Sequence, residues 1–103
     1  MHLGELTFET AKAMEGAMFT VTLEGGLTSA LKLDEVLKYD VRQRRRKETP
    51  RREPFSLYFT GDPALVLPQG MYTLRGEAGE LEGLFLVPIG KDGEATEYEA
   101  VFN

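Results

Sequence analysis

Apolar and polar residues alternate along most of this chain, and a period of two is typical of β-strands that bury one face. The alternation runs through residues 19–23 and returns in residues 27–33, with Gly25 and Gly26 between them. Because both glycines tolerate positive φ, they predict a two-residue hairpin turn. The alternating positions are Phe19, Val21 and Leu23 in the first strand, then Leu27, Ser29, Leu31 and Leu33, with Val36 further along. An antiparallel pair of strands is therefore expected here.

Residues 55–60 and 97–102 alternate in the same way. The positions predicted to face the core are Phe55, Leu57, Phe59, Tyr98, Ala100 and Phe102. The positions predicted to face solvent are Ser56, Tyr58, Thr60, Glu97 and Glu99. A Lys-Asp-Gly turn at 91–93 precedes the last of these strands.

Two further strands are predicted in residues 71–90, on either side of a glycine-rich turn near 76–79. The run from Leu84 to Val87 is apolar at every position. A strand that is apolar on both faces is typical of the middle of a sheet, so this run predicts the most central strand.

A single short helix is predicted near the N-terminus, where the period changes. Phe8, Ala11 and Met14 share one helical face, Thr7 is suited to the N-cap and Gly16 to the C-terminal end. About two turns of helix are not stable alone in water, so this helix must pack on the strands.

The pattern as a whole predicts an all-β domain with six or seven short strands and one short N-terminal helix. A small β-sandwich and a partly open β-barrel both fit this pattern. A length of 103 residues suits a single domain, 1–103, with one core. The chain has no cysteine, which excludes disulfides and thiolate metal sites. It shows neither a signal peptide nor a membrane-length apolar run, so a cytoplasmic protein that does not contact membranes is expected.

A long polar loop is predicted at about residues 40–54, where the alternation stops. Within it, residues 42–52 (the basic segment) carry seven Lys or Arg and one Glu. The basic residues are Arg42, Arg44, Arg45, Arg46, Lys47, Arg51 and Arg52. The rest of the chain has five basic and sixteen acidic residues, so the net charge of -5 conceals a strong asymmetry.

Three roles for the basic segment remain open. It could be a solvated loop that protects a strand edge, it could dock on a protein, or it could bind nucleic acid phosphates through its guanidinium groups. Tyr58 is the one nearby aromatic residue predicted to face outward, which is few for a nucleic-acid module that stacks bases. The acidic remainder of the chain also repels a polyanion. Protein docking is therefore favoured over nucleic acid binding.

The chain offers little chemistry for catalysis. His2 is the only histidine and lies at the chain end, and the two serines, Ser29 and Ser56, fall within predicted strands. The glycines at 76, 79 and 83 match no phosphate-binding motif. No enzyme activity, cofactor or metal is expected.

Carboxylates form two i, i+2 pairs on predicted strands, Glu80 with Glu82 and Glu97 with Glu99. Neither pair has the spacing of a calcium-binding loop. We expect them to form solvated acidic surface, and they are the candidate counter-surface for a basic loop.

The second half of the chain carries the sequences REPFSLYFTGDPALVLPQGMYTLRG, GELEGLFLVPIG and YEAVFN. These resemble the DUF6916 family, small bacterial proteins of unknown function. The matching positions are Phe55-Ser56-Leu57, Gly61, Leu67–Gly70, Leu84–Pro88 and Tyr98–Asn103. The resemblance implies a single-domain protein with an association with phage-tail-like structures, and it brings no catalytic residues.

The expected function is therefore that of a non-enzymatic interaction or assembly protein, an accessory to a phage-tail-like structure, whose basic loop docks on a protein partner or on another copy of the chain. The alternative is a nucleic-acid-associated module that uses the Arg-rich loop. A third hypothesis, a small-ligand-binding β-barrel, requires an internal apolar cavity.

Overall fold

A computed structural model of the protein describes residues 6–38 and 54–102. The described elements are α1 (Phe8–Lys12), β1 (Met18–Thr22), β2 (Thr28–Lys38), β3 (Phe55–Gly61), β4 (Gly70–Gly76), β5 (Gly79–Asp92) and β6 (Ala95–Phe102). Every neighbouring pair of strands is antiparallel, and the six strands close into a barrel in the order β1-β2-β3-β6-β5-β4. The prediction of a small β-domain with one short helix is confirmed, and the architecture is a closed barrel.

The predicted pairing of β1 with β2 is confirmed, with Phe19 opposite Leu31. Gly25 and Gly26 have φ values of +88° and +87°, a conformation that glycine adopts readily because it lacks a Cβ atom. The turn is one residue longer than predicted, because the Leu23 amide donates to the Leu27 carbonyl across a 3-10 turn formed by Glu24–Gly26. Leu27 is exposed as a consequence and does not join the core.

Three β-bulges interrupt the alternation of inward and outward residues, at Asp34 in β2 and at Gly83 and Ile89 in β5. In β2, Asp34 is an extra residue between the pairs Leu33–Phe59 and Glu35–Tyr58, so Leu33 and Val36 both point inward despite their spacing of three. In β5, Gly83 (φ +63°) is the extra residue opposite Thr73 of β4. A period of two therefore holds only between bulges, and the sequence gives no simple mark of where Asp34 breaks it.

The barrel interior is filled by inward-facing side chains from all six strands. The largest of those that are fully buried are Tyr98, Phe19, Phe55, Phe59, Leu31, Leu33, Leu57, Leu74, Leu81 and Leu84. All six residues predicted to face the core in β3 and β6 are buried. The prediction that Ser56 faces solvent is wrong, because only 4% of its surface is exposed.

The prediction that Leu84–Val87 forms the most central strand is also wrong. Every strand of a closed barrel has two neighbours, so no strand is more central than another. Leu84 and Leu86 are buried, whereas Phe85 between them is 46% exposed on the outer surface. The apolar character of both faces of this run therefore needs an explanation other than burial in the middle of a sheet.

The helix α1 packs at the end of the barrel where β2 ends and β3 begins. Thr7 caps it, as predicted, by accepting a hydrogen bond from the Thr10 amide at 3.1 Å. Phe8 makes an edge-to-face contact with Phe55, which in turn stacks on Phe102. The apolar face predicted for the helix is the one that closes this end of the barrel.

The segment between β3 and β4 closes the opposite end. Leu67 is buried there, and its amide donates a 2.9 Å hydrogen bond to the hydroxyl of Tyr98 inside the barrel. The hydroxyl of Tyr72 donates to the carbonyl of Pro68 in the same segment. Burial, reinforced by the nearby Tyr98, raises the pKa of Tyr72 above its ordinary value. The Leu-Pro-Gln-Gly sequence thus has a structural role.

The turn after α1 is attached to β2 through Glu15. Its carboxylate accepts hydrogen bonds from the Lys12 ammonium at 2.9 Å and from the Val36 amide at 2.7 Å. The bond from Lys12, followed by that from Val36, lowers the pKa of Glu15. Because the pKa is lower in the folded protein, this stabilisation is present above the unfolded pKa and is lost as the pH falls through the folded pKa.

We expect Glu15→Gln to lower the Tm at about pH 7, and we expect this difference to disappear as the pH falls through the lowered pKa of Glu15 in the folded protein. Thermal melts of the two proteins across this range measure the difference. Glu9→Gln, at an exposed position of α1, is the matched control. An equal Tm difference at both ends of the pH range would contradict the assigned role of Glu15.

Candidate functional site

The seven basic residues predicted to bind a partner lie outside the described residues, and so does the loop predicted at about 40–54. The structure does describe the two positions between which that part of the chain runs. Lys38, at the end of β2, is paired with Phe55, at the start of β3. The described chain therefore stops and resumes at neighbouring strand ends, those of β2 and β3, at the end of the barrel that α1 covers.

Tyr58 lies on the outer face of β3, as predicted, between Glu35 of β2 and Glu99 of β6. Its hydroxyl donates a 2.8 Å hydrogen bond to the Glu99 carboxylate, so the ring is held against the barrel wall and half-buried. Glu97 lies on the same face, two residues from Glu99. We refer to Glu35, Glu97 and Glu99 as the acidic patch. It contains the predicted Glu97/Glu99 pair and a third carboxylate that the sequence did not single out.

The other predicted acidic pair lies elsewhere. Glu80 forms a 2.7 Å ion pair with Arg75 of β4, and a side-chain hydrogen bond with Glu82, ahead of the contribution from Arg75, lowers the pKa of Glu80. Glu99 is opposite Val87 in β5. Glu82 precedes Val87 by five residues in β5, so about 17 Å of strand separates Glu82 from the position opposite Glu99. The structure does not bring the two pairs together, and the charge of Glu80 already has a cation from its own chain.

An exposed apolar strip on the barrel wall was not anticipated from the sequence. Leu37 of β2 and Val101 of β6 lie on either side of Ser56 of β3, all at one level of the sheet. Met71 of β4 is paired with Phe85 of β5. We refer to Leu37, Val101, Phe85 and Met71 as the apolar row; they are 44%, 43%, 46% and 66% exposed.

The sequence did contain a signal for this row. Leu84–Val87 is apolar on both faces, but burial in the middle of a sheet was an equally good explanation of that pattern. Leu37, Met71 and Val101 each stand alone in the sequence as an apolar residue at an outward position. Single apolar residues of this kind are common on protein surfaces, so they gave no signal. Only the register of the strands brings them to one level.

Among residues 6–38 and 54–102, no group of three or more His, Cys, Asp or Glu side chains is placed to hold a metal ion. No helix in those ranges is both long enough and apolar enough to cross a membrane. Of the two serines, Ser29 is half-buried within β2 and Ser56 is buried in β3.

Open grooves occur on the surface formed by residues 6–38 and 54–102. One of about 410 Å³ is lined by residues of β1, β2 and β3 together with Asp62, Leu65 and Ala95. Another, of about 800 Å³, lies between the segment 16–20 and the turn that joins β4 to β5. Arg75 lines this second groove, and its guanidinium is engaged by Glu80. Neither groove gathers a set of side chains with an evident chemistry.

Comparison with known proteins identifies a family but no function. A family model described as "Domain of unknown function (DUF6916)" matches residues 6–102, nearly the whole chain. Searches of curated proteins and of solved structures gave no match. The resemblance, which is most specific in the second half of the sequence, is thereby confirmed, and the chain belongs to the DUF6916 family.

Proposed function

We propose that this protein is a non-enzymatic interaction protein that assembles with a protein partner or with another copy of itself through its outer surface. The observation that carries the proposal is the acidic patch, which lies beside an exposed apolar row on the same barrel wall. A surface that combines apolar contact area with charge of one sign is suited to orient and hold a protein. An accessory role in a phage-tail-like structure is the setting that the family resemblance suggests.

The basic segment supplies the complementary charge. Residues 6–38 and 54–102 contain five Lys or Arg against thirteen Asp or Glu, a formal charge of -8. The seven basic residues of 42–52 are therefore attached to an acidic body. Attraction between the basic segment of one molecule and an acidic surface of another would speed association and select the orientation.

The barrel interior gives little support to the small-ligand hypothesis. Barrels of about eight strands have an interior just wide enough for side chains or for one small ligand, and a six-stranded barrel is narrower. Large side chains occupy the interior here, including Tyr98 and three phenylalanines. A ligand would need space that these side chains take, so recognition at the outer surface is the better-supported mode.

Nucleic acid binding remains the alternative function because the basic segment could neutralise phosphates and release counterions. The acidic body opposes it. The outward aromatic beside the basic segment, Tyr58, is half-buried and hydrogen-bonded to Glu99, which leaves it poorly placed to stack on a base. We therefore expect only weak binding of random-sequence DNA at about 0.15 M salt.

Affinity capture from the cells that make the protein tests the proposal. The bait is the wild-type chain or Arg44/Arg45/Arg46→Ser, and the control is Lys32/Arg75/Lys91→Ser, which removes three positive charges elsewhere. We expect the wild type and the control to retain a defined protein, or an untagged copy of the chain, and the Arg44/Arg45/Arg46→Ser bait to lose it because the charge pairing is gone.

Two results would contradict the proposal. Retention of the same proteins by all three baits would show that the basic segment does not dock. Sub-micromolar binding of random DNA at about 0.15 M salt, lost with Arg44/Arg45/Arg46→Ser and kept by the control, would establish the nucleic acid function in its place.

A further inference from the structure

The barrel is closed by its shortest strand pairing, the one between β1 and β4, which we refer to as the closing seam. Only Thr20 with Arg75 and Val21 with Leu74 are paired there. Every other neighbouring pair of strands in the barrel has between five and seven paired positions. Because the hydrogen bonds of a sheet form along the paired positions, the closing seam has the least backbone bonding of the six.

Side chains add no polar link across the closing seam. Within residues 6–38 and 54–102, no side-chain hydrogen bond or ion pair joins β1 to β4. Other neighbouring strands do have such links, since Tyr58 of β3 donates to Glu99 of β6. Arg75, although it is paired with Thr20, makes its ion pair with Glu80 of β5 and not with β1. Backbone bonds and apolar packing are therefore what hold β1 against β4.

No turn of the chain holds the closing seam together. Short turns join β1 to β2, β4 to β5 and β5 to β6, so each of these pairings is kept in place by its own connection. β1 and β4 have β2 and β3 between them in the chain. When strands remote in the sequence separate, their re-pairing must close a long loop, which costs more conformational entropy than closing a hairpin. The closing seam is therefore the least reinforced of the seams by connectivity as well.

Solvent already reaches one end of the closing seam. The groove of about 800 Å³ lies there, between the segment 16–20 and the turn after β4. The backbone of Gly76 approaches the carbonyl oxygen of Met18 so closely that no side chain fits between them. The small residues that line this groove are Gly16, Ala17, Ala30, Gly76 and Ala78. Few side-chain contacts are therefore available to fasten this end of the seam.

Both strands of the closing seam keep other partners when they separate. β1 remains paired with β2 at five positions, and Phe19 of β1 packs edge-to-face on Phe59 of β3 with ring centroids 6.2 Å apart. β4 remains paired with β5 at six positions. Separation at the closing seam therefore converts the barrel into an open sheet, β1-β2-β3-β6-β5-β4, in which every other pairing is intact.

We infer that the protein opens reversibly at the closing seam, so that a minor population of molecules has the open sheet in place of the closed barrel. Native proteins open locally where bonds and packing are weakest, without unfolding as a whole. Opening exposes Val21 and Leu74, which are buried in the barrel. It also leaves β1 and β4 as sheet edges with unpaired backbone groups, of the type that an extended strand can bind. The opening does not depend on the docking surface proposed above.

Thiol labelling tests the opening, because the natural chain has no cysteine and an introduced thiol is the only reactive one. Val21→Cys places a buried thiol at the closing seam. Val36→Cys, the matched control, places a buried thiol in β2 opposite Leu57 of β3. We expect a water-soluble disulfide reagent to label Val21→Cys about tenfold faster than Val36→Cys, at a rate that low urea concentrations leave nearly unchanged. The Val36→Cys rate should rise with urea, because global unfolding exposes that thiol.

A disulfide across the closing seam gives a second readout that does not depend on a buried substitution. Thr20 and Arg75 are paired and exposed, and opposed residues of antiparallel strands are close enough for a disulfide. Oxidation of Thr20→Cys/Arg75→Cys therefore clamps the seam, and the reduced form of the same variant is the control. We expect oxidation to slow hydrogen exchange about tenfold at the amides that bond across the closing seam. Oxidation of Thr60→Cys/Glu97→Cys, a matched clamp between β3 and β6, should leave exchange at those amides unchanged.

Two results would overturn the opening. Labelling of Val21→Cys and Val36→Cys at equal rates that rise alike with urea would show that the closing seam separates only when the whole protein unfolds. Exchange that is slowed equally by both clamps, or by neither, would show the same. The capture of a protein through the basic segment is unaffected by either result, so the proposed function is tested separately.

Discussion

Removing residues 98–103 is expected to leave the chain unable to fold. The strand β6 lies between β3 and β5, so its loss opens the barrel and exposes the edges of both neighbours. Tyr98 and Phe102 are buried, and Phe102 stacks on Phe55 with ring centroids 4.9 Å apart. Removing a buried aromatic costs roughly 3–5 kcal/mol, and two such losses are comparable with the whole stability of a small domain, about 5–15 kcal/mol.

Circular dichroism and thermal melting measure this effect. Tyr98→Ala is an intermediate case, in which the cavity left by the ring is expected to lower the free energy of unfolding by about 3–5 kcal/mol. The amide of Leu67 also loses its hydrogen-bond acceptor, the Tyr98 hydroxyl, which lowers the stability further. Glu97→Gln, an outward position on the same strand, is the control and should change stability by no more than about 0.5 kcal/mol. A truncated protein that melts at the wild-type temperature would show that β6 is not part of the core.

Gly76→Ala is expected to produce the second large effect. Gly76 ends β4, beside the short seam in which β1 and β4 share only two paired positions, Thr20–Arg75 and Val21–Leu74. A methyl group at Gly76 would collide with the backbone carbonyl oxygen of Met18 and lie 3.2 Å from the Phe19 ring. Because backbone cannot swing aside as a side chain can, the two strands must separate, at a cost of about 1–3 kcal/mol.

The chain contains a closely matched control for this substitution. Gly70 begins the same strand, neither glycine has a positive φ, and the nearest atom to a methyl group at Gly70 is 3.8 Å away, in the ring of Tyr72. Gly70→Ala should therefore be tolerated within about 0.5 kcal/mol. Urea unfolding of the two variants measures the difference. Equal stabilities would mean that β1 and β4 are not in close contact at Gly76.

Local features of this fold were predictable from the sequence because they depend on local physics. The period of two identified the buried faces of β1, β3 and β6, since side chains alternate across any strand. Thr7 marked the start of the helix because a side-chain N-cap is a requirement of the residue itself. The Gly25-Gly26 turn was recognised for the same reason and was only one residue too short. The prediction that Gly16 ends the helix is wrong, because α1 ends at Lys12 and Gly16, with φ +89°, ends the turn that follows it.

The candidate site was predictable only where a single strand contains it. Glu97, Glu99 and Tyr58 were correctly placed on outward positions, because alternation within β3 and β6 decides that. Their contact with one another, and the addition of Glu35 from β2, depend on the register between strands. Register is set by the packing of the whole core and by the bulge at Asp34, which the sequence does not mark.

The sequence by itself thus determined the class of the fold, the segments that form strands, the capped helix and the separation of a basic segment from an acidic body, because each follows from residues near one another in the chain. Tertiary structure decided the rest. Closure into a barrel removed any central strand, so an apolar run predicted to be buried on both faces presents Phe85 to solvent instead. The alignment of Leu37, Val101, Phe85 and Met71 at one level likewise exists only after distant strands have paired, because only pairing brings residues remote in the sequence side by side.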